Sequence, residues 1–198
     1  MLRHAHQSGI VTVLNSASSH PLQLWRVSAG AGGRVCVEDD EGGEVVDGPV
    51  VRIEGPRLAQ TFVGCPRGAD ETLGIRHPFL VLVVKDIGHQ FSVEAEIADT
   101  RGVVRRLRAS NFEPEVRVEP GVARLPLRLD PGWNYLTFDL AQTTARAYGT
   151  GFAEARRVTV HASACLRLVL FADRVVPEDE LPRELRLRGR AVAGGGTC

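Results

Sequence analysis

Phe79-Leu-Val-Leu-Val-Val-Lys-Asp86, then Phe91-Ser-Val-Glu-Ala-Glu-Ile-Ala98, Asp99-Thr-Arg-Gly102 and Val103-Val-Arg-Arg-Leu-Arg-Ala109 set the architecture of this chain. The first segment is a continuous apolar run of strand length, the pattern of a strand buried on both faces. The second alternates: Phe91, Val93, Ala95 and Ile97 share one face, and Ser92, Glu94 and Glu96 share the other. Asp at the first position and Gly at the fourth mark 99–102 as a tight turn. Residues 91–98 and 103–109 therefore read as a β-hairpin.

The same grammar extends in both directions. On 122–129, Ala123, Leu125, Leu127 and Leu129 share a face, and Pro126 points to an edge or a bulge because it has no N–H to donate. Asp130-Pro-Gly132 is a strong turn signal, and Trp133 to Phe138 read as the partner strand of a second hairpin. Strands are also expected at 157–162, with Val158, Val160 and Ala162 on one face, and at 165–171, with Leu166, Leu168 and Leu170 on one face. The first 65 residues are less regular, with strands near 9–14, 22–28 and 50–54 and an acidic, glycine-containing loop at 38–47. One helix is expected from Leu140 to Tyr148, capped by Asp139 with Gln142 three residues on and stopped by Gly149. A single helical turn falls at 178–181. Many short strands, Gly/Pro turns and little helix predict an all-β chain: one antiparallel β-sandwich over residues 1–188, followed by a flexible glycine-rich tail at 189–198.

With 198 residues, 43% hydrophobic, the chain is long enough to bury a core without a metal or disulfide staple. It has 24 basic and 24 acidic residues, so bulk charge selects no partner, and nonspecific nucleic-acid binding, which wants a basic surplus, is not expected. No run approaches the ~20 apolar residues of a membrane span, and Ile10–Leu14 is too short for the apolar region of a signal peptide. Cys36, Cys65, Cys165 and Cys198 lack any C-x-x-C spacing, which predicts free thiols in a reducing, cytosolic compartment.

No catalytic, metal or cofactor site is legible. His4 and His6 have no third ligand near them, and Glu38, Asp39, Asp40 and Glu41 lack the spacing of a calcium loop, so a solvated acidic loop is expected there. Ser110 and Asn111 are not framed as a nucleophile elbow, and there is no phosphate-binding glycine motif. The densest basic cluster is Arg101, Arg105, Arg106 and Arg108. With Asn111 it forms the candidate partner-binding set, as an acidic-partner contact. The plainer reading is cross-strand pairing with Glu94 and Glu96, although four arginines exceed two glutamates. Trp133 and Tyr135 share a strand face, either as core or as an aromatic platform for a sugar ring.

Several phrases stand in a fixed order: Gln7-Ser-Gly9, Pro21-Leu-Gln-Leu-Trp25, Glu54-Gly55, Cys65-Pro66, Thr72-Leu-Gly-Ile75 with Pro78-Phe-Leu-Val81, Arg105 to Asn111, Leu127 to Asn134, Arg146-Ala-Tyr-Gly-Thr150, Phe171-Ala-Asp-Arg174 and Glu178-Asp-Glu-Leu-Pro182. Together they resemble the cilia- and flagella-associated protein 20 family from about His6 to Arg188. That resemblance implies a jelly-roll β-sandwich, similar in architecture to carbohydrate-binding modules. It implies a non-enzymatic structural component of the axoneme at the inner junction of doublet microtubules. Contacts to the α/β-tubulin lattice, the parkin co-regulated protein and other inner-junction proteins follow from it, with a basal-body or nuclear presence in some members. The chain departs from the family in its longer acidic loop near 30–48, its neutral charge and its glycine-rich tail. A carbohydrate-binding module using Trp133 and Tyr135, a divergent paralogue at another axonemal or nuclear site, and a nucleic-acid adaptor using the arginine hairpin are the alternative functions.

Overall fold

The computed structural model describes residues 1–2, 7, 9–40, 48–182 and 185–186. Expectations that concern His4, His6, Glu41, the rest of the acidic loop, Cys198, the boundary at 188 and the tail lie outside these residues. The strands are β1 (Ile10–Asn15), β2 (Arg26–Ser28), β3 (Arg34–Asp39), β4 (Pro49–Glu54), β5 (Phe62–Cys65), β6 (Phe79–Asp86), β7 (Ser92–Asp99), β8 (Val104–Ser110), β9 (Arg117–Glu119), β10 (Val122–Pro126), β11 (Gly132–Asp139), β12 (Phe152–His161) and β13 (Ala164–Ala172). Among the described residues one α-helix, α1 (Leu140–Tyr148), lies between β11 and β12.

Two sheets result. One runs β11-β6-β13-β4-β3, with β1 also paired to β13; the other runs β2-β5-β12-β7-β8-β10-β9. Among the described residues all strand pairs are antiparallel except β8 with β10. The inner faces meet in one core of Trp25, Leu73, Ile75, Leu80, Leu82, Phe91, Ile97, Leu166, Phe171 and their neighbours. This is the all-β sandwich with one helix that the alternating segments predict. The helix forms as expected: Asp139 accepts a hydrogen bond from the Gln142 N–H at 2.7 Å, and Gly149 stops it at φ 65°. A side chain at that left-handed position would be strained, which is why glycine stands there.

The apolar run is buried on both faces, and the structure shows what covers the second. Leu80, Leu82 and Val84 enter the central core. Val81 and Val83 join a separate cluster with Val50, Trp133, Cys165, Leu168, Leu170, Val176 and Leu181. The segment after β13 folds back across the outer face of the six-stranded sheet. Its Val176 carbonyl accepts from the Tyr135 hydroxyl at 2.8 Å, and the expected helical turn appears as a 3₁₀ turn at Glu178–Glu180. Trp133 and Tyr135 are therefore core residues of this second layer, and burial pushes the Tyr135 hydroxyl up to about 12.

Four expectations need correction. First, 122–129 and 133–138 are not a hairpin. β10 pairs in parallel with β8 and antiparallel with β9, whereas β11 pairs with β6 in the other sheet. The Asp130-Pro-Gly132 turn carries the chain between sheets, and Asn134 buckles it: its Oδ1 accepts from the Asp130 N–H, and its Nδ2 donates to the Asp130 and Gly132 carbonyls. Leu125, Leu127 and Leu129 still face the core, so the side-chain pattern is the same whether the chain turns back or crosses over.

Second, Leu166 does not share a face with Leu168 and Leu170. A bulge between Leu166 and Leu168 shifts the register, and a one-residue slip inverts every later side chain. The bulge residue Arg167 is buried and donates to the Ser16 hydroxyl at 2.9 Å and the Pro49 carbonyl at 3.1 Å. Third, the expected strand at 22–28 is confined to Arg26–Ser28, because residues 20–25 form turns held by Gln23 N–H to His20 and Trp25 N–H to Leu22. β3, β5 and β9 were not anticipated. Fourth, residues 38–40 are not a solvated loop. Glu38 and Asp39 end β3; Glu38 pairs with Arg52 and Arg34, and buried Asp40 accepts from Lys85 Nζ at 2.7 Å and Trp133 Nε1 at 3.2 Å.

Two histidines are shifted toward the neutral form, His77 buried and His161 half-buried. Burial pushes both His77 and His161 below the ordinary value of 6.5, with Arg76 adding to the effect at His77 and Arg108 at His161. Groups depressed in this sense bind fewer protons folded than unfolded. Their contribution to stability is complete above 6.5 and is lost as pH falls from there toward their folded values. The denaturant midpoint should therefore hold steady above that value and drop below it, with a smaller drop in His77→Gln. A flat midpoint through this window would contradict the assignment.

Candidate interaction surface

The arginine hairpin divides between two environments. Arg105 lies on the core side of β8 at the end of the sandwich. Its guanidinium stacks 4.4 Å from the centre of the Tyr148 ring, approaches Asp99 at 3.4 Å and donates to the Pro120 carbonyl. Asp99 is buried. Desolvation pushes its carboxyl up, but bonds from the Val103 and Arg101 N–H groups, Thr150 and Arg105 outweigh this and hold it below the usual carboxylate range. Asn111 is a joint: its Oδ1 accepts from the Phe91 N–H at 2.9 Å and its Nδ2 donates to the His89 carbonyl at 2.8 Å. Arg101 is exposed at the hairpin turn. Arg106 and Arg108 point outward.

Cross-strand register aligns the outer face of the seven-stranded sheet. Arg26, Gly64, Thr159, Glu94, Arg108 and Arg124 stand opposite one another in turn along one row. The next row carries Ser28, Phe62, His161, Ser92 and Ser110. These rows form the floor of a groove of about 510 Å³ lined by Arg26, Phe62, Glu94, Arg106, Arg108, Phe112, Arg157 and His161 among others. Arg108 is committed to Glu94, donating from Nε at 3.0 Å and Nη2 at 2.7 Å, so the expected cross-strand pair forms. Glu96, opposite Arg106, instead meets Arg156 at 3.4 Å. Arg157 reaches the carbonyls of Pro66, Gly68, Ala69 and Glu71 and fixes that loop as a wall. Arg26 lies 5.7 Å from the centre of the Phe62 ring.

The groove thus holds four arginines against one glutamate. A second groove of similar volume at one end of the sandwich includes Arg34, Glu54, Gly55, His89 and Ser163 and is balanced in charge. Arg26, Phe62, Phe112, Arg157 and His161 did not stand out in the sequence. They are scattered from Arg26 to His161, about two thirds of the chain, and only the strand order brings them together.

Burial pushes the Cys65 thiol up to about 12 and raises Cys36 and Cys165, so none is a ready nucleophile. Among the described residues no cluster of His, Cys, Asp and Glu is suited to a metal, and no helix is long and apolar enough to cross a membrane.

Many of the collinear phrases turn out to be joints of this scaffold. Gln7 donates to the Leu2 and Gly74 carbonyls and accepts from the Arg76 N–H, tying itself to Thr72–Ile75. Asp173 holds Gly9. Trp25 Nε1 donates to the Val13 carbonyl at 2.8 Å. At Gly55 a β-carbon would stand 2.6 Å from the Thr61 hydroxyl, too close for any other residue.

The two-sheet body thus carries a charged groove on the exterior face of one sheet. The chain belongs to the CFA20 domain family, which matches residues 1–189. It is 41% identical over 189 residues to Cilia- and flagella-associated protein 20 of Chlamydomonas reinhardtii, covering 94% of this chain and 96% of that protein. It is likewise 41% identical over 187 residues to the Caenorhabditis elegans protein of that name, covering 94% of this chain and 90% of that one. Similar solved structures include a family 11 carbohydrate-binding module from Clostridium thermocellum, at 8% identity and TM-score 0.44, covering 87% of this chain and 100% of that one. Another is the CBM22-1 xylan-binding domain from Paenibacillus barcinonensis, at 12% identity and TM-score 0.41, covering 87% and 100%.

Proposed function

We propose that this protein is a non-enzymatic structural component of the cilium or flagellum, placed at the inner junction of doublet microtubules where it links the A- and B-tubules and supports motility. Family membership and the names of the relatives support the ciliary or flagellar role and location. The observation that carries the reading is that similarity extends over 96% of the Chlamydomonas protein, so the likeness is to a whole protein and not to a borrowed module. The finer placement rests on the family resemblance of the collinear phrases, with the tubulin lattice and the parkin co-regulated protein as the expected neighbours. A stiff sandwich repeated along a filament would gain avidity from individually modest contacts.

Cryo-electron microscopy of doublets from cells lacking this protein tests the placement. The expected result is missing density at the inner junction and impaired beating, both restored by reintroducing the chain. An unchanged junction would overturn it. The sugar-binding alternative loses its premise, because Trp133 is 8% exposed and the Tyr135 hydroxyl is bonded beneath the folded-back segment.

A further inference from the structure

We infer that the groove on the outer face of the seven-stranded sheet is a docking site for an extended acidic polypeptide segment, rich in glutamate or aspartate, from a partner protein. The inference deepens the docking role proposed above and rests on it for its cellular setting.

The charge is arranged for such a ligand. Among the described residues Arg26 and Arg106 are exposed and have no carboxylate partner, and they stand at opposite ends of the groove. Arg26 is on β2 and Arg106 on β8, four strand spacings apart in the order β2-β5-β12-β7-β8. At about 4.8 Å per spacing this is ~19 Å. An extended chain rises ~3.3 Å per residue, so a stretch of about six residues spans the two guanidiniums. Between them the charges are already spoken for: Arg108 is paired with Glu94, and Arg157 is bonded to four carbonyls while keeping its positive charge toward the groove. Phe62, half-buried, and Phe112, 45% exposed, offer apolar surface to the methylenes of acidic side chains.

Glu94 in the middle of the floor decides which polyanion fits. A polypeptide brings backbone N–H groups that a carboxylate can accept, whereas a phosphate backbone brings only negative charge to it. The neutral chain as a whole also lacks the surplus that holds nucleic acid nonspecifically. The neighbouring outward charges, Glu96 with Arg156 and Glu119 with Arg124, are mutually paired and add no net repulsion.

The test is fluorescence anisotropy of a labelled hexaglutamate peptide titrated with the purified full chain, at low and at physiological ionic strength. The expected result is saturable binding that weakens with salt, no binding of a matched hexaglutamine peptide, and about a tenfold loss for each of Arg26→Glu and Arg106→Glu. Arg76→Glu, exposed and outside the groove, should leave affinity unchanged. Thermal melts that match the parent establish that the variants are folded. Equal binding of hexaglutamine, no binding, an equal loss in Arg76→Glu, or tighter binding of a single-stranded RNA of the same charge would each overturn the inference. Because this assay uses the isolated chain, its failure leaves the doublet placement standing, and an unchanged inner junction in cells leaves the groove standing.

Discussion

Trp25→Ala is expected to cost about 3–5 kcal/mol of folding stability, the usual range for removing a buried tryptophan. Trp25 is fully packed in the central core, and its indole N–H is bonded to the Val13 carbonyl, so the substitution both opens a cavity and orphans an acceptor on β1. A domain holds only about 5–15 kcal/mol in total, and for a chain of this size each kcal/mol moves the midpoint by roughly 2–4 °C. The melting temperature should therefore fall by about 6–20 °C. Trp25→Phe, which keeps most of the ring but not the N–H, should lose about 1–3 kcal/mol. Differential scanning calorimetry distinguishes the two. A loss of under about 1 kcal/mol for the alanine variant would mean that the Pro21–Trp25 turn is not seated in the core.

Leu181→Ala is the second large effect, at about 2–5 kcal/mol. Leu181 is fully buried in the layer formed when the segment after β13 crosses the outer face of the six-stranded sheet, against Val81, Val83, Leu168 and Leu170. Loosening it would wet the largest apolar surface outside the central core. Trp133 lies in this layer and Trp25 in the central one, and these are the two tryptophans of the chain. With Trp25 replaced by Phe, fluorescence reports the outer layer alone, and Leu181→Ala should shift Trp133 emission to the red before global unfolding. Val175→Ala, in the same segment but 56% exposed, should stay within about 0.5 kcal/mol of the parent. Equal effects of the two substitutions would show that the outer layer is not packed.

This second layer illustrates why the candidate surface was only half legible. The run Phe79–Asp86 announces that both faces of its strand are buried, but a one-dimensional pattern cannot name the cover. It is supplied by residues about a hundred positions later. Likewise Arg105 to Arg108 read as one basic cluster, yet strand alternation sends Arg105 to the Tyr148 ring and leaves Arg106 in the groove. The sequence pairs both Glu94 and Glu96 across the hairpin; Glu94 does pair with Arg108, because the hairpin register is local, whereas Glu96 is met by Arg156 from the strand on the other side. Asn111 draws notice by its place after a basic strand, and the structure uses it to tie the β8 end to residues 89–91.

What the sequence determined alone is whatever its short-range chemistry dictates: the strand periods, the Asp139 and Gly149 caps, the hairpin across Asp99–Gly102, and the ordered phrases that mark the CFA20 domain. The tertiary structure decided the rest. It sent β10 and β11 to different sheets across a turn that reads like a hairpin, inverted Leu168 and Leu170 through a bulge at Arg167, and gathered Arg26, Arg106, Arg157 and Phe112 into one groove. The physical reason is that propensity and turn geometry act over a few residues, whereas pairing partners are chosen by competition among all apolar faces for burial, and that competition is settled only when the whole chain has collapsed.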